Sequence, residues 1–218
     1  MCFNPKRKSW HVEECSQAID EEDESKNLNF GFDNDQGDYL YEATDHINYR
    51  YEVQKRLGKG AFGVVLKCFD HKTKEHVALK ILKNRIKLHK QGKIEVKILE
   101  QLRDKDPEDK KNTIIIKDSF TFRSHACMTF ELLSMNLYQF IKDNEFQGFS
   151  PALTKRFAIQ ILVALNYLHE NQIVHCDLKP ENVLLKKPTK SQIKLIDFGS
   201  SCYVKEQYYT YIQSRFYR

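Results

Sequence analysis

The sequence predicts an α+β fold in two parts, an antiparallel sheet carrying one main helix and then a mostly helical part. Three observations predict it. Short β-rich runs broken by turns follow one another from Tyr51. A single amphipathic stretch interrupts them, and after Ser134 the apolar periodicity becomes helical.

The strands are expected at 51–57, 64–69, 76–82, 114–120 and 127–131, where β-branched and aromatic residues alternate with polar ones. Between the third and fourth runs, Leu88, Glu95, Leu99 and Leu102 share one face at helical spacing, so a helix over 88–102 should pack on that sheet. The second part is clearest at 150–171. Ser150 can cap a helix whose first turn holds Pro151, and Leu153, Phe157, Ile161, Leu165 and Leu168 form its core stripe. Residues 1–30 read as a disordered acidic tail, with the run Asp20 to Glu24 and little apolar content. A lead-in segment follows at 31–50, the sheet part at 51–133 and the helical part at 134–218.

Composition narrows the function classes. The 218 residues are 41% hydrophobic and 30% charged, with a formal charge of +5, which fits a folded chain with a wet surface rather than a disordered one. Both charge signs are interspersed, so neither nucleic acid nor an anionic membrane is an expected partner. The basic stretch Lys83, Arg85, Lys87, Lys90, Lys93 reads as the solvated side of a helix and its approach. No run approaches the roughly 18 apolar residues of a membrane span. The six cysteines are scattered, without a CxxC pair or a His set at ligand spacing, which disfavours zinc and a disulfide framework and fits an intracellular place, cytoplasm or nucleus. Lys6, Arg7 and Lys8 make a poor nuclear address. A calcium loop at Asp33 to Asp38 fails because the sixth and twelfth places hold Asp38 and Thr44.

Gly58-Lys59-Gly60-Ala61-Phe62-Gly63-Val64-Val65 has the form GxGxxGxV, whose glycines let backbone approach phosphate oxygens. A dinucleotide-binding turn would lead into a helix, whereas here a second strand follows, so the stretch reads as a hairpin lid. Val77-Ala78-Leu79-Lys80 places Lys80 in the third strand, available to phosphates, and Glu95 on the sheet-facing side of the helix is its expected ion partner. The strongest signal is His175-Cys176-Asp177-Leu178-Lys179-Pro180-Glu181-Asn182 followed by Asp197-Phe198-Gly199. Phosphoryl transfer needs positioning and charge neutralisation. Asp177 would orient a substrate hydroxyl, Lys179 would steady the γ-phosphate of ATP, and Asn182 and Asp197 would hold Mg²⁺.

With these motifs in order, the chain resembles the protein kinase superfamily, and more narrowly the dual-specificity tyrosine-regulated (DYRK) kinases, over residues 30–218. Cys176 stands where most kinases carry Arg, Ser200-Ser201-Cys202 follows the DFG motif, 209–218 is similar to the family's YxYIQSRFYR segment, and Phe32 to Tyr39 within 31–50 resembles the acidic box that precedes the kinase domain in this family. The resemblance implies a two-lobed kinase fold with an incomplete second lobe, since the chain stops at Arg218 before an APE motif. It also implies a nucleotide site of Leu57, Gly58, Gly60, Phe62, Gly63, Val65, Ala78, Lys80 and Leu184. Phe130 would be the gatekeeper, and the backbone of Glu131, Leu132 and Leu133 would take the adenine. The implied activity is ATP- and Mg²⁺-dependent phosphorylation of Ser and Thr in proteins, proline-directed, by a monomer that autophosphorylates Tyr211. Without the usual arginine, Arg215 and Arg218 are the candidates to hold that phosphate. Against this stands a silent pseudokinase or binding fragment, which the early end of the chain favours and the intact Lys80, Asp177, Asn182 and Asp197 disfavour.

Overall fold

The computed structural model describes residues 28–206 and 211–218, so the acidic run, the basic Lys6 to Lys8 cluster, Cys2, Cys15 and Tyr209 lie outside it. The elements are β1 (His46–Ile47), β2 (Tyr51–Lys59), β3 (Gly63–Asp70), β4 (Glu75–Leu82), α1 (Ile86–Lys105), β5 (Ile116–Phe122), β6 (His125–Glu131), α2 (Leu137–Asp143), α3 (Pro151–Glu170), β7 (Ile173–Val174), β8 (Val183–Leu185), β9 (Ile193–Leu195) and β10 (Cys202–Tyr203). They cluster into two compact units, one reaching His89 and including Phe120–Cys127, the other made of Lys90–Ser119 and Met128–Arg218.

The first unit holds β1 to β4 and the adjoining ends of β5 and β6, in the order β1-β2-β3-β4-β6-β5. The alternation expected of a half-buried strand is plainest on β3, where every second residue is buried. Val64, Leu66 and Cys68 meet Val77, Leu79 and Ile81 of β4 on the core side, joined by Tyr39, Ile47, Tyr51 and Val53. Burying these side chains from water is what holds the sheet together.

The acidic box has a structural task. Its Asp33 accepts from Asn84 at 3.0 Å and contacts Nε2 of the fully buried His125 at 2.7 Å. His125 Nδ1 in turn faces the Leu82 carbonyl at 2.6 Å. Asp38 is paired with Lys59 at 2.8 Å and Lys83 at 3.2 Å. Burial pushes the Asp38 carboxyl up, but hydrogen bonds from Lys59, Asn34 and Lys83 outweigh it and hold it below its ordinary value. Lys83 is therefore buried against a carboxylate and does not belong to the solvated basic stretch with Arg85, Lys87, Lys90 and Lys93.

In the second unit α3 has the bounds its caps predict. Ser150 Oγ accepts from Leu153 N, Pro151 opens the first turn, and Asn171 closes the helix. Phe157 and Leu168 are buried as expected, joined by Ala164 and Tyr167. Tyr167 donates its hydroxyl to the Leu102 carbonyl at 2.7 Å, and Lys105 donates to Asn171 Oδ1 at 2.8 Å, fixing α1 to α3. Helix α1 runs two residues earlier and three later than the 88–102 expected. Its buried face is Gly92, Glu95, Ile98, Leu99 and Leu102, with Leu88 only half-buried.

Among the described residues no helix is long and apolar enough to cross a membrane.

Candidate active site

On the first unit the hairpin β2–β3 carries the glycine-rich sequence. Cross-strand register puts Gly58 opposite Val65 and Val65 opposite Lys80, so the three form one row on the half-buried face. Ala78 projects from that face as well, two residues before Lys80 on β4. Leu57 sits at a register shift between Arg56 and Gly58 and is 45% exposed, as a bulged strand edge allows. Phe62 fixes the tip by accepting from Lys83 N at 3.0 Å, and Gly60 N reaches Gly63 O at 2.9 Å.

The three glycines of the loop differ. Gly63 has φ +152°, and a Cβ there would lie 2.0 Å from the Ile81 carbonyl oxygen, so the fold itself demands glycine. A Cβ on Gly58 or Gly60 would meet nothing within 4 Å. Packing leaves those two positions open, which is the space that phosphate oxygens approaching the backbone need.

The second unit holds the remaining groups. Phe130 on β6 is buried, and Glu131, Leu132 and Leu133 continue from it half-buried. The exit of this segment is tied to β8, with Ser134 N donating to Leu185 O at 2.9 Å and Leu185 N to Met135 O at 2.9 Å. Leu184 on β8 bridges Asn136 and pairs with Lys194 of β9.

Asp177 is the centre of a dense network. Its Oδ2 accepts from Lys179 Nζ at 2.7 Å and Asn182 Nδ2 at 3.2 Å, and its Oδ1 accepts from Ser214 Oγ at 2.7 Å. Lys179 Nζ also donates to Ser214 Oγ at 2.8 Å. Ser214 is the residue that the motifs did not single out, although it lies in the quoted 209–218 segment beside Arg215. Asn182 is buried, with Nδ2 spent on Asp177, which leaves the amide oxygen as its remaining donor atom for a ligand.

His175 holds the two acidic loops together. Its Nε2 donates to Ile196 O at 3.0 Å and its Nδ1 accepts from Asp177 N at 3.2 Å, a pattern only the neutral ring can make. Burial pushes its pKa down, in agreement. Its ring stands edge-on to the fully buried Phe198 at 5.1 Å. Cys176 and Asp197 both adopt left-handed backbone, φ +65° and +62°, uncommon for residues with a side chain. The Cys176 carbonyl accepts from Gln213 N at 2.9 Å, the Leu178 carbonyl from Gln213 Nε2 at 2.6 Å.

The end of the chain pairs Tyr211 with one of its two expected arginines. Arg218 donates to the Tyr211 hydroxyl, and its guanidinium lies 3.6 Å from the ring centroid. Arg215 is exposed in the short 3₁₀ turn Arg215–Tyr217 and makes no such contact.

A protein kinase domain model matches residues 51–218. The chain belongs to the protein kinase family. Within it, the chain is 55% identical over 190 residues to a homologue of dual specificity tyrosine-phosphorylation-regulated kinase 3 from Drosophila melanogaster. It is 54% identical to the kinase mbk-2 of the same description from Caenorhabditis elegans, and 53% identical to human dual specificity tyrosine-phosphorylation-regulated kinase 3, each over 190 residues. These matches cover 87% of this chain but only 23%, 23% and 32% of the relatives, so the chain spans a third or less of their length. The α+β kinase fold and the DYRK likeness read from the motifs are thus borne out.

Proposed function

We propose that the chain carries the nucleotide-binding and phosphoryl-transfer groups of a DYRK-type dual-specificity protein kinase. In this reading it phosphorylates Ser and Thr of proteins, beside proline, inside the cell and as a monomer. One observation carries the reading: Asp177 already accepts a serine hydroxyl at 2.7 Å on one oxygen while an ammonium and an amide occupy the other. A carboxylate held so would accept the hydroxyl of a substrate Ser or Thr and take its proton as that oxygen bonds to the γ-phosphorus, while the bond from the γ-phosphorus to the β-phosphate oxygen breaks and ADP leaves.

The donor sets fit the ligands. The open faces of Gly58 and Gly60, in a row with Val65 and Lys80, suit a triphosphate, and Lys80 would reach its α- and β-phosphates with Glu95 as the paired carboxylate. By the family likeness, Leu57, Phe62 and Ala78 of the first unit, and Phe130, the backbone of Glu131 to Leu133 and Leu184 of the second, are each assigned to the adenine. Asn182 and Asp197 offer hard oxygen donors of the kind Mg²⁺ prefers. That ion supplies charge neutralisation on the phosphates. Lys179 stabilises negative charge next to Asp177, and His175 fixes the backbone of both acidic loops.

In the same reading Tyr211 receives a phosphate from the enzyme itself, held by Arg218, which already contacts its hydroxyl, with Arg215 as the second candidate.

The test uses the chain continued past Arg218 to the length of its relatives. Lys80→Met and Asp177→Asn should each lower γ-phosphate transfer to a Ser-Pro peptide by about 100-fold or more. Near-normal rates in either would overturn the mechanism. Phosphate mapped at Tyr211 after expression in a bacterial host, absent in Lys80→Met, would support self-modification, and an unmodified Tyr211 in an active enzyme would refute it.

A further inference from the structure

We propose that His46, Glu52 and His71 form a three-ligand site for a divalent transition-metal ion, Zn²⁺ foremost. These residues are 6 and 19 positions apart, which matches no zinc motif, so sequence spacing argues against the metal. Strand register brings them together. His46 on β1 lies directly opposite Glu52 on β2, and Glu52 lies opposite Phe69 on β3. His71 follows two residues after Phe69, where the chain leaves the strand.

The backbone under His71 is fixed from both sides. His71 N donates to Arg50 O at 3.0 Å, and the Arg50 guanidinium grips Asp70 through two bonds of 2.7 Å. Asp70 also accepts from Lys72 N at 2.9 Å and the Thr73 hydroxyl at 3.0 Å. The turn is thereby stapled to β2. Below the ring of His71 the Phe69 side chain stands edge-on at 5.1 Å, an apolar wall on one side of the site.

The side chains already face one another. The imidazoles of His46 and His71 stack at 5.1 Å and 23°, and His71 Nε2 lies 2.7 Å from Glu52 Oε2. One ligand atom from each of the three residues falls within 4.8 Å of the others. A tetrahedral Zn²⁺ with bonds of about 2.0–2.1 Å needs ligand atoms roughly 3.4 Å apart. Reaching that spacing would take side-chain rotations that widen the His71–Glu52 contact and draw the other ligand atoms in, and the side chains of His71 and Glu52, 40% and 32% exposed, have room for them. Two imidazoles and one carboxylate suit zinc, whereas Ca²⁺ and Mg²⁺ prefer oxygen throughout. Water would supply the fourth ligand.

Such an ion would bridge three places in the fold: the two-residue strand β1, the strand β2 and the turn after β3. His46 lies before the residues matched by the kinase model, so the ion would clip the lead-in segment onto the kinase sheet.

The experiment titrates the full metal-free chain with Zn²⁺ at pH 7.5 by calorimetry and reads the zinc-loaded protein by X-ray absorption. One equivalent should bind with a dissociation constant on the order of 10 µM, with nitrogen and oxygen neighbours only. His46→Gln and His71→Gln should each weaken it about 10-fold or more. His76→Gln, an exposed histidine opposite Phe69 that is not among the three ligands, should leave it unchanged. Sulfur in the first shell would place the zinc on cysteine and overturn the proposal. So would binding weaker than about 1 mM, or wild-type affinity in the His46→Gln, His71→Gln double variant.

Discussion

Lys194 should be the most costly single cation to remove from the second unit. Its side chain is 3% exposed on β9 and meets two carboxylates, Asp109 Oδ1 at 2.6 Å and Glu131 Oε1. Glu131 also accepts from Ile115 N at 3.1 Å, and Asp109 from Lys186 Nζ at 2.7 Å. Lys194→Met keeps the aliphatic stem but leaves two poorly solvated carboxylates facing a thioether. Breaking a buried ion pair by deleting one partner costs about 3–5 kcal/mol, and the surviving contacts to Ile115 and Lys186 favour the lower end, about 3 kcal/mol. With a urea slope near 2 kcal/mol/M, the midpoint should fall by about 1.5 M. Lys186→Met provides the comparison, because that side chain is 36% exposed and its pair is worth about 1 kcal/mol or less. The pH dependence has a definite sign. Burial raises the pKa of Asp109, but hydrogen bonds from Lys186 and Lys194 outweigh it and leave the carboxyl below its ordinary value. Its contribution is therefore present above the unfolded carboxylate value and lost as pH falls through the lower folded value. The difference between wild type and Lys194→Met should shrink as pH drops from about 5 toward 3. If Lys194→Met unfolds at the same urea concentration as Lys186→Met, the burial argument is wrong.

Gly63→Ala should destabilise the sheet by about 2–3 kcal/mol, since φ +152° and a contact at 2.0 Å both forbid a Cβ, while Gly58→Ala and Gly60→Ala should stay within about 1 kcal/mol of wild type. Denaturation of the three variants decides it, and equal losses would refute the distinction. Diamide, as two-electron oxidant, should convert Cys176 and Cys202, whose sulfurs lie 3.9 Å apart, to a disulfide with loss of both thiol protons. Burial and the neighbouring thiol push Cys176 up to about 11, so the rate should rise about 10-fold per pH unit between 7 and 9. Mass spectrometry of the bridged peptide reads both, and persistence of the two free thiols would refute the geometry.

What the sequence made legible were features encoded locally. The caps of α3 sit on Ser150 and Asn171 because a serine followed by proline, and an asparagine after the last apolar position, act within one turn. The row Gly58, Val65, Lys80 was implicit in a glycine hairpin followed by a lysine-bearing strand. What stayed hidden depends on contacts between distant segments. Ser214 looks like any turn serine until the fold sets it against Asp177, 37 residues earlier. β1, β7 and β10 have only two residues each, too few to show a period. The acidic box was legible by family likeness and as a failed calcium loop, but its structural task was not, because its partners His125, Lys59 and Lys83 come from or beside other strands.

The replacement of arginine by Cys176 bears on how the last segment is held. In a loop with arginine at that place, a phosphate supplies the counter-charge that fixes the activation segment. Here Gln213 fastens it instead, by its backbone N–H to the Cys176 carbonyl and its side-chain amide to the Leu178 carbonyl, from a left-handed backbone at φ +75°. Both bonds are between neutral groups, and neither requires phosphate. Left-handed conformations at Cys176, Asp197 and Gln213 each cost on the order of 1–2 kcal/mol, and they persist because the surrounding bonds over-determine them. The same bonds set Ser214 on Asp177 immediately after Gln213. A segment anchored this way presents its serine to the acidic residue without any phosphate, so a phosphate on Tyr211, as proposed above, would have a site to stabilise rather than one to create.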